Sequence, residues 1–179
     1  MKEAKLLKRK EVYKGRVVDL SVDRVEMPNG KTTELEVIRH PGAAAMVPLA
    51  DSDEVLLVRQ YRYATGGWLL EVPAGKLDRG EDPEACAVRE LEEEVGMKPA
   101  KVIPLGWIWT TPGFTDEKIW LYLCRDLRPA QQDLQDDEVL TVESRSLEEV
   151  IEMVRQGEIC DSKSICALLQ ADAYLRAED

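Results

Sequence analysis

Acidic side chains recur at helical spacing in the middle of the chain. Glu90 and Glu94 lie four residues apart, Glu93 is next to Glu94, and Glu81 precedes them. Like charges one helical turn apart destabilise a helix by roughly 0.2–0.5 kcal/mol, and a hard divalent cation with oxygen ligands would reverse that cost. The spacing therefore indicates a metal site. The alternative is a solvated acidic face on which Arg89 pairs with Glu93.

The segment that carries these carboxylates is punctuated as a helix over Pro83–Val95. Asp82 precedes it as the N-cap, a proline occupies the first helical position, and Gly96 follows where a C′ glycine belongs. At 100° per residue, Glu90, Glu93 and Glu94 fall on the side opposite a predicted apolar stripe. The stripe is formed by Ala85, Val88, Leu91 and Val95. This pattern predicts a helix that packs by one face and offers carboxylates on the other.

Gly75, Glu81 and residues 89–97 stand at fixed spacings in one longer pattern. The pattern resembles the Nudix box, G-x5-E-x7-R-E-U-x-E-E-x-G-U with U an aliphatic residue, and every fixed position is filled. The resemblance implies an α/β fold of the α+β type: a Nudix-like α/β/α sandwich with a mixed sheet, preceded by an N-terminal antiparallel β hairpin. It also implies hydrolysis of the diphosphate bond of a nucleoside diphosphate derivative.

The same resemblance implies a role for each residue of the box. Glu90 and Glu94 are the firmest metal ligands, Glu93 is the next, and the carbonyl of Ala74 is an additional ligand. The implied cofactor is Mg²⁺, with Mn²⁺ as the alternative cation, because a divalent ion can bridge carboxylates and diphosphate oxygens. Arg89 is expected to orient the glutamates. The glycines at the two ends, Gly75 and Gly96, are expected to serve a loop turn and a helix stop.

Three features outside the box resemble the ADP-ribose pyrophosphatase branch of the family, and two of them concern substrate binding. Pro112 lies sixteen residues beyond Gly96 (112 − 96), where this branch has a marker proline, and by resemblance Glu117 would hold the terminal ribose hydroxyls. Arg62 is similarly expected to bind the diphosphate, with Arg59 in reserve, since arginine forks match phosphate oxygens. An ordinary Pro-Gly turn and a surface ion pair are the competing interpretations.

A third feature is the acidic loop that follows a polar stretch. By resemblance to a loop of this branch, Glu138 is preferred as general base or further metal ligand, by a modest margin over Asp136 and Asp137, and Glu93 remains a candidate base. A plain acidic loop is the competing interpretation. ADP-ribose, cleaved to AMP and ribose 5-phosphate, is the favoured substrate. GDP-mannose, other nucleotide sugars and NADH stay open, as does a non-catalytic Nudix-like ligand sensor.

The rest of the chain predicts alternating strands and two later helices. Residues 1–40 are rich in β-branched residues around Pro28-Asn29-Gly30, a hairpin signal. We expect them to form an N-terminal β segment that serves as the dimerisation element of a homodimer, and residues 41–179 to form the Nudix hydrolase domain. Further strands are predicted over residues 44–49, 55–60, 68–72, 102–110, 119–124 and 139–142, with helices over 147–155 and 164–176.

Composition limits the classes of partner. The formal net charge of −11 opposes binding of nucleic acid. No long apolar run indicates a membrane span, and the basic first fourteen residues lack the apolar region of a secretory signal, so a cytoplasmic location is expected. Small or aromatic side chains expected in the core are Cys86, Cys124, Cys160, Cys166, Trp107, Trp109 and Trp120.

Overall fold

The computed structural model describes residues 2–136 and 138–178 as a mixture of strands and helices. The chain divides into two compact units. The first comprises Met1–Gly42 and Trp109–Lys118, and the second comprises Ala43–Ile108 and Ile119–Asp179. The domain boundary after residue 40 stays a prediction. In the described residues, no helix is long and apolar enough to cross a membrane.

The first unit contains a three-stranded antiparallel sheet. Its strands are β1 (Lys5–Lys14), β2 (Asp19–Glu26) and β3 (Thr32–Arg39), in that spatial order. The predicted hairpin between β2 and β3 is confirmed, and Gly30 takes the left-handed conformation that its turn requires, with φ of 79°. β1 lies within the predicted β segment of residues 1–40 but was not delimited as a separate strand, because all ten of its residues are exposed and the apolar alternation of a half-buried strand is missing.

The second unit contains two sheets. One has the order β10 (Leu140–Ser146), β5 (Glu54–Arg62), β6 (Gly67–Glu71). The other has the order β7 (Ala74–Lys76), β4 (Ala43–Pro48), β9 (Lys118–Pro129), β8 (Met97–Trp109). β4 runs antiparallel to β7 and parallel to β9, which confirms the predicted mixed sheet.

Helices cover both faces of β4, whose six residues are all buried. Ala45 and Val47 belong to a core cluster that contains residues of α2 (Leu147–Gln156) and α3 (Ser162–Glu178). Ala44 and Met46 belong to a second cluster that contains residues of α1 (Pro83–Val95). Because successive side chains of a strand point to opposite faces, β4 lies between helix layers. The predicted α/β/α sandwich is confirmed.

Several side chains expected in the core lie at the surface. Cys160 is exposed and Cys166 is partly buried, whereas Cys86 and Cys124 are buried as predicted. Trp107 and Trp109 keep about half of their surface exposed, at 49% and 47%. The prediction was wrong for Cys160, Trp107 and Trp109, because residue type alone does not say which face of an element meets the core, whereas Cys166 packs against the core.

Candidate active site

The bounds of α1 agree with the sequence prediction at both ends. The Asp82 carboxylate accepts hydrogen bonds from the backbone N–H groups of Glu84 (3.0 Å) and Ala85 (3.4 Å), as an N-cap does. Gly96 adopts φ of 70°, and its N–H donates to the Glu92 carbonyl at 3.0 Å. Both ends of the helix that carries the glutamates are therefore fixed by local chemistry.

The predicted orientation of α1 is confirmed for Leu91 and Val95, which are buried, and was wrong for other residues of the helix. Ala85 is exposed and Val88 is partly exposed, although both were expected in the apolar stripe. Glu90 and Glu94 are only 5% and 2% exposed, so they lie on the packed side of the helix. The buried side is completed by apolar residues, namely Cys86, Ala87, Leu91 and Val95. The two carboxylates are thus held against the sheet, and their ionised forms lose most of their hydration.

Gly75 makes this burial possible. It lies in β7, opposite Ala44 of β4, and its backbone is not left-handed. A Cβ atom placed on Gly75 would lie 1.8 Å from the Glu90 carboxyl carbon and 1.9 Å from Oε1. The role expected for this glycine, a loop turn, is therefore corrected: glycine is required because a carboxylate rests directly on the backbone.

The buried glutamates have few compensating partners. The Ala74 N–H donates to Glu94 Oε2 at 3.0 Å. Burial, with the charges of Glu90 and Glu138, raises the pKa of Glu94 to about 8. Burial also raises the pKa of Glu90, although the neighbouring Arg89 opposes that rise. Two acids that resist ionisation side by side form a site at which a cation would favour the charged forms.

Arg89 donates hydrogen bonds to three acids of the box, Glu81, Glu90 and Glu93. Its Nε and Nη2 donate to the two carboxylate oxygens of Glu81, at 2.8 and 2.9 Å. Its Nη1 donates to Glu90 at 2.8 Å and to Glu93 at 3.0 Å. The hydrogen bonds from Arg89 lower the pKa of Glu81 to about 2. The Arg89 guanidinium is therefore hydrogen-bonded to three carboxylates of the box, and its role in orienting the glutamates stays a prediction.

With the carboxylates so directed, they do not form a ready-made cation cage. Within residues 2–136 and 138–178, no group of three His, Cys, Asp or Glu side chains stands at a spacing that could hold a metal ion. Glu90 and Glu93 point to Arg89, and Glu94 points to the Ala74 N–H. Glutamate side chains can reorient, and the hard oxygen donors fit Mg²⁺ in kind.

Glu138 lies near the helix glutamates. Its Oε2 accepts a hydrogen bond from the Gln135 N–H at 3.0 Å, and its side chain is partly buried. Its charge contributes to the raised pKa values of Glu90 and Glu94, after the larger effect of burial. Asp136 is exposed, and Asp137 lies outside the described residues. The loop thus brings one carboxylate toward the two on α1.

The two arginines of β5 lie on opposite faces of the strand. Arg62 Nε and Nη2 donate to Glu71 at 3.0 and 2.8 Å. Burial by itself would lower the pKa of Arg62. The hydrogen bonds and charge of Glu71, together with the charge of Glu94, outweigh burial, so the pKa of Arg62 is raised overall. Arg59 instead pairs with Glu143 of β10. Arg62 is therefore the arginine that is within electrostatic reach of Glu94.

Pro112 and Glu117 belong to the first compact unit. Pro112 is exposed in a turn closed by hydrogen bonds from the backbone N–H groups of Phe114 and Thr115 to the Thr111 carbonyl, at 3.2 and 3.1 Å. Glu117 accepts a hydrogen bond from Thr110 Oγ1 at 2.9 Å, and its Oε1 lies 3.5 Å from His40 Nδ1.

Sequence reasoning missed Glu71 and Lys163. Glu71 is 1% exposed and bonds both Arg62 and Lys163, which is 92 residues away in the chain. A single acid at the end of the apolar run Leu69-Leu70 was an available signal, because a buried charge requires a partner. Nothing in the sequence identified Lys163 as that partner.

Comparisons with known proteins identify the family of the chain. The family described as NUDIX domain matches residues 39–168. The chain is 36% identical over 180 residues to the ADP-ribose pyrophosphatase of Bacillus subtilis (strain 168), covering 98% of this chain and 97% of that protein. It is 39% identical over 168 residues to a protein of Bacillus methanolicus named methanol dehydrogenase activator, covering 93% and 91%.

A solved structure described as an ADP compounds hydrolase has the same fold. It superposes with a TM-score of 0.87 at 22% identity, covering 99% of this chain and 97% of that one. The predicted resemblance to Nudix hydrolases of the ADP-ribose pyrophosphatase branch is confirmed. With a complete box on α1 and a family match over most of its length, the chain belongs to the Nudix family and is a pyrophosphohydrolase.

Proposed function

We propose that this enzyme hydrolyses ADP-ribose to AMP and ribose 5-phosphate with Mg²⁺ as its cofactor. The observation that carries the proposal is the buried pair Glu90 and Glu94, whose ionisation the protein itself compensates only in part. The choice of substrate is supported by the similarity to the Bacillus subtilis ADP-ribose pyrophosphatase over nearly the whole of both chains.

The residues that would hold Mg²⁺ are the acids of α1 and one backbone oxygen. Glu90 and Glu94 come first, Glu93 is the third carboxylate, and the carbonyl of Ala74 is a further candidate. When bound, the ion neutralises the diphosphate and withdraws charge from the phosphorus under attack. Mn²⁺ has the same preference for oxygen ligands and is the alternative cation.

Other side chains bind the substrate and transfer the proton. The Arg62 guanidinium binds a diphosphate oxygen through charge-assisted hydrogen bonds. Arg89 keeps the glutamates directed. Glu138 removes a proton from the attacking water, for which it needs only hydrogen-bond reach of that water, and Glu93 is the next candidate. Glu117, five residues after Pro112 in the same segment, binds the terminal ribose hydroxyls.

One substrate panel tests this assignment. The purified protein is incubated with ADP-ribose, GDP-mannose or NADH, in Mg²⁺, in Mn²⁺ and in excess chelator, and the products are separated by chromatography. We expect AMP and ribose 5-phosphate from ADP-ribose, and none in chelator. Turnover of only GDP-mannose or NADH would replace the substrate, and ligand binding without turnover would favour the sensor. Repeating the reaction in ¹⁸O-labelled water identifies the phosphorus attacked.

A second candidate function is activation of a methanol dehydrogenase. It is favoured by the 39% identity to the Bacillus methanolicus protein of that name over 93% of this chain. The test adds the purified protein to a purified methanol dehydrogenase and measures the rate of methanol oxidation. An unchanged rate over a range of protein concentrations would exclude this function without affecting the hydrolase proposal.

The enzyme is further proposed to be a cytoplasmic homodimer that associates through residues before Pro41. The sheet of the first unit supports this, because it exposes large apolar side chains that a second copy could cover, namely Leu6, Leu7, Val12, Tyr13 and Leu35. Light scattering is expected to give twice the chain mass of 20.2 kDa. A monomer mass at working concentration would refute the dimer.

A further inference from the structure

A network of four charged side chains joins β5, β6 and the start of α3. The fully buried Glu71 carboxylate accepts two hydrogen bonds from Arg62, with Nε 3.0 Å from Oε1 and Nη2 2.8 Å from Oε2. Lys163 Nζ also donates to Glu71 Oε2, and it donates to Asp161 Oδ2 at 2.8 Å. Two cations and two carboxylates thus balance one another, and Glu71 is bonded on both oxygens.

The fork leaves part of the Arg62 guanidinium available. A guanidinium has five N–H donors in one plane, and Glu71 takes one from Nε and one from Nη2. Among the described residues, the side-chain hydrogen bonds of Arg62 use no donor of Nη1. The Arg62 side chain is 38% exposed, while its charge acts on Glu94. Arg62 is therefore fixed on one edge and accessible on another, near the carboxylates of α1.

The first turn of α3 secures the other side of this network. Asp161 caps the helix by accepting the Ser164 N–H at 3.1 Å, while the Ser164 hydroxyl oxygen accepts the Val72 N–H at 2.9 Å. Lys163 Nζ donates a hydrogen bond to Glu71, the residue that precedes Val72 in the chain. Glu71, the last residue of β6, and Val72, which follows it, are thus both hydrogen-bonded to the N-terminus of α3. The Glu71 carboxylate, which binds Arg62, therefore has little freedom to move.

We propose that Glu71 and Lys163 are positioning residues, which hold the Arg62 guanidinium ready for a diphosphate oxygen. The inference rests on the proposed function in one respect, the binding of a diphosphate by Arg62. A free arginine side chain loses its rotamer freedom when it binds an anion, and a held one has already lost it. Glu71 and Lys163 act on substrate binding only through Arg62.

A double-mutant cycle tests this directly. KM and kcat for ADP-ribose are measured for the wild type, Glu71→Gln, Arg62→Ala and the double variant. We expect Glu71→Gln to raise KM about tenfold with little change in kcat, since it loosens a binding group by about one ordered side chain. In the Arg62→Ala background the same substitution should change KM less than about twofold, because its only route of action is gone.

A second pair of variants covers the case in which Glu71→Gln does not fold. Lys163→Gln should raise KM, whereas Lys163→Arg, which keeps the positive charge, should give a KM close to that of the wild type. In the Arg62→Ala background, Lys163→Gln should no longer change KM. Arg125→Gln, which breaks the Arg125–Glu178 surface pair, is the matched control and should leave KM unchanged. Equal effects of Glu71→Gln or Lys163→Gln in both backgrounds would show a merely structural role and overturn the inference.

The outcomes separate this inference from the function on which it rests. A wild type that cleaves a different diphosphate replaces the substrate, and the cycle is then run with that compound. Wild-type turnover with additive effects overturns the positioning role alone. A wild type that cleaves no diphosphate overturns both proposals.

Discussion

Asp23 in the first unit and Glu94 in the second are both hidden from solvent, yet they ionise in opposite ways. Asp23 accepts hydrogen bonds from Arg9 at 2.7 and 2.8 Å, from Arg39 at 2.9 Å and from Ser21 at 3.0 Å. Hydrogen bonding from Arg9 is the main cause of its lowered pKa. Glu94 has the Ala74 N–H, and burial raises its pKa to about 8.

The contrast separates two uses of a buried carboxylate. Asp23 is covered by the cations that neutralise it, so its charge is satisfied within its own unit and serves to hold β1, β2 and β3 together. Glu71 is of the same kind, with Arg62 and Lys163 as its cations. Glu94 and Glu90 are covered by a helix and a strand instead. An acid that the fold buries without enough compensation is available for a ligand that the fold does not supply.

The largest expected effect on turnover concerns Glu138, whose charge, like that of Glu90, acts on Glu94. As general base it should supply a factor of about 10² to 10⁴ in rate. Glu138→Gln is therefore expected to lower kcat by that factor while the Mg²⁺ dependence stays nearly intact. Asp136→Asn is the matched control with a smaller effect. Near-full kcat in Glu138→Gln would move the base elsewhere, with Glu93 next.

Glu94→Gln should lower both turnover and metal affinity, because it removes an anionic oxygen ligand. We expect kcat to fall on the order of 10³-fold, since metal stabilisation of the transition state amounts to several kcal/mol. A higher Mg²⁺ concentration should be needed for half-maximal rate. Glu92→Gln on the same helix, whose partner is Lys98, should change neither quantity. Equal effects of the two substitutions would remove the distinction drawn between the acids of α1.

Asp23→Asn should act on stability rather than on metal affinity. It leaves Arg9 and Arg39 facing one another without their shared carboxylate, so we expect Tm to fall by roughly 3–8 °C. The control is Glu152→Gln, at an exposed ion pair with Arg155, which should leave Tm unchanged. Differential scanning calorimetry measures both. A Tm equal to that of the wild type would mean that the Asp23 network contributes nothing.

The last expected effect is a pH dependence of the thermal stability of the metal-free protein, measured in excess chelator. The pKa of Glu94 is about 8 in the folded protein against an ordinary value of 4.5. The folded state therefore binds the proton more tightly, and the free energy of unfolding falls as pH rises from 4.5 to 8. Relative to Glu94→Gln, the wild-type Tm should drop across this window on the order of 10 °C, because 3.5 pH units (8 − 4.5) at about 1.4 kcal/mol each amount to roughly 5 kcal/mol. Parallel curves for the two proteins would contradict the raised pKa.

The same contrast explains what sequence could and could not predict. The bounds of α1 were predictable because Asp82, Pro83 and Gly96 act on neighbouring backbone groups. The spacing of the box also singled out Glu90 and Glu94 as predicted metal ligands. Their burial was not predictable, because a helical wheel places charges away from the core unless the facing strand is known. That strand is β7, three residues long, and only Gly75 makes room for the carboxylate.

Pairings across long stretches of chain were likewise beyond sequence reasoning. Glu71 and Lys163 meet because β6 and α3 are brought together by the core, 92 residues apart. β1 was not delimited as a strand because its exposed residues show no alternation of apolar and polar side chains. Trp107 and Trp109 were wrongly expected in the core because tryptophan is usually buried, whereas both are about half exposed. Local signals specify elements, whereas the partners of buried charges depend on the assembled fold.

The hydrogen bond from the Ala74 N–H to Glu94 also gives the molecule a spectroscopic probe. An amide proton that donates to a carboxylate is deshielded, and the shift changes when that carboxylate is protonated or turns away. A single ¹H–¹⁵N cross-peak, from a backbone amide that no substitution has altered, should therefore follow the state of Glu94 in the resting enzyme. Titrations of Mg²⁺, of protons or of AMP could be followed at that resonance without any turnover.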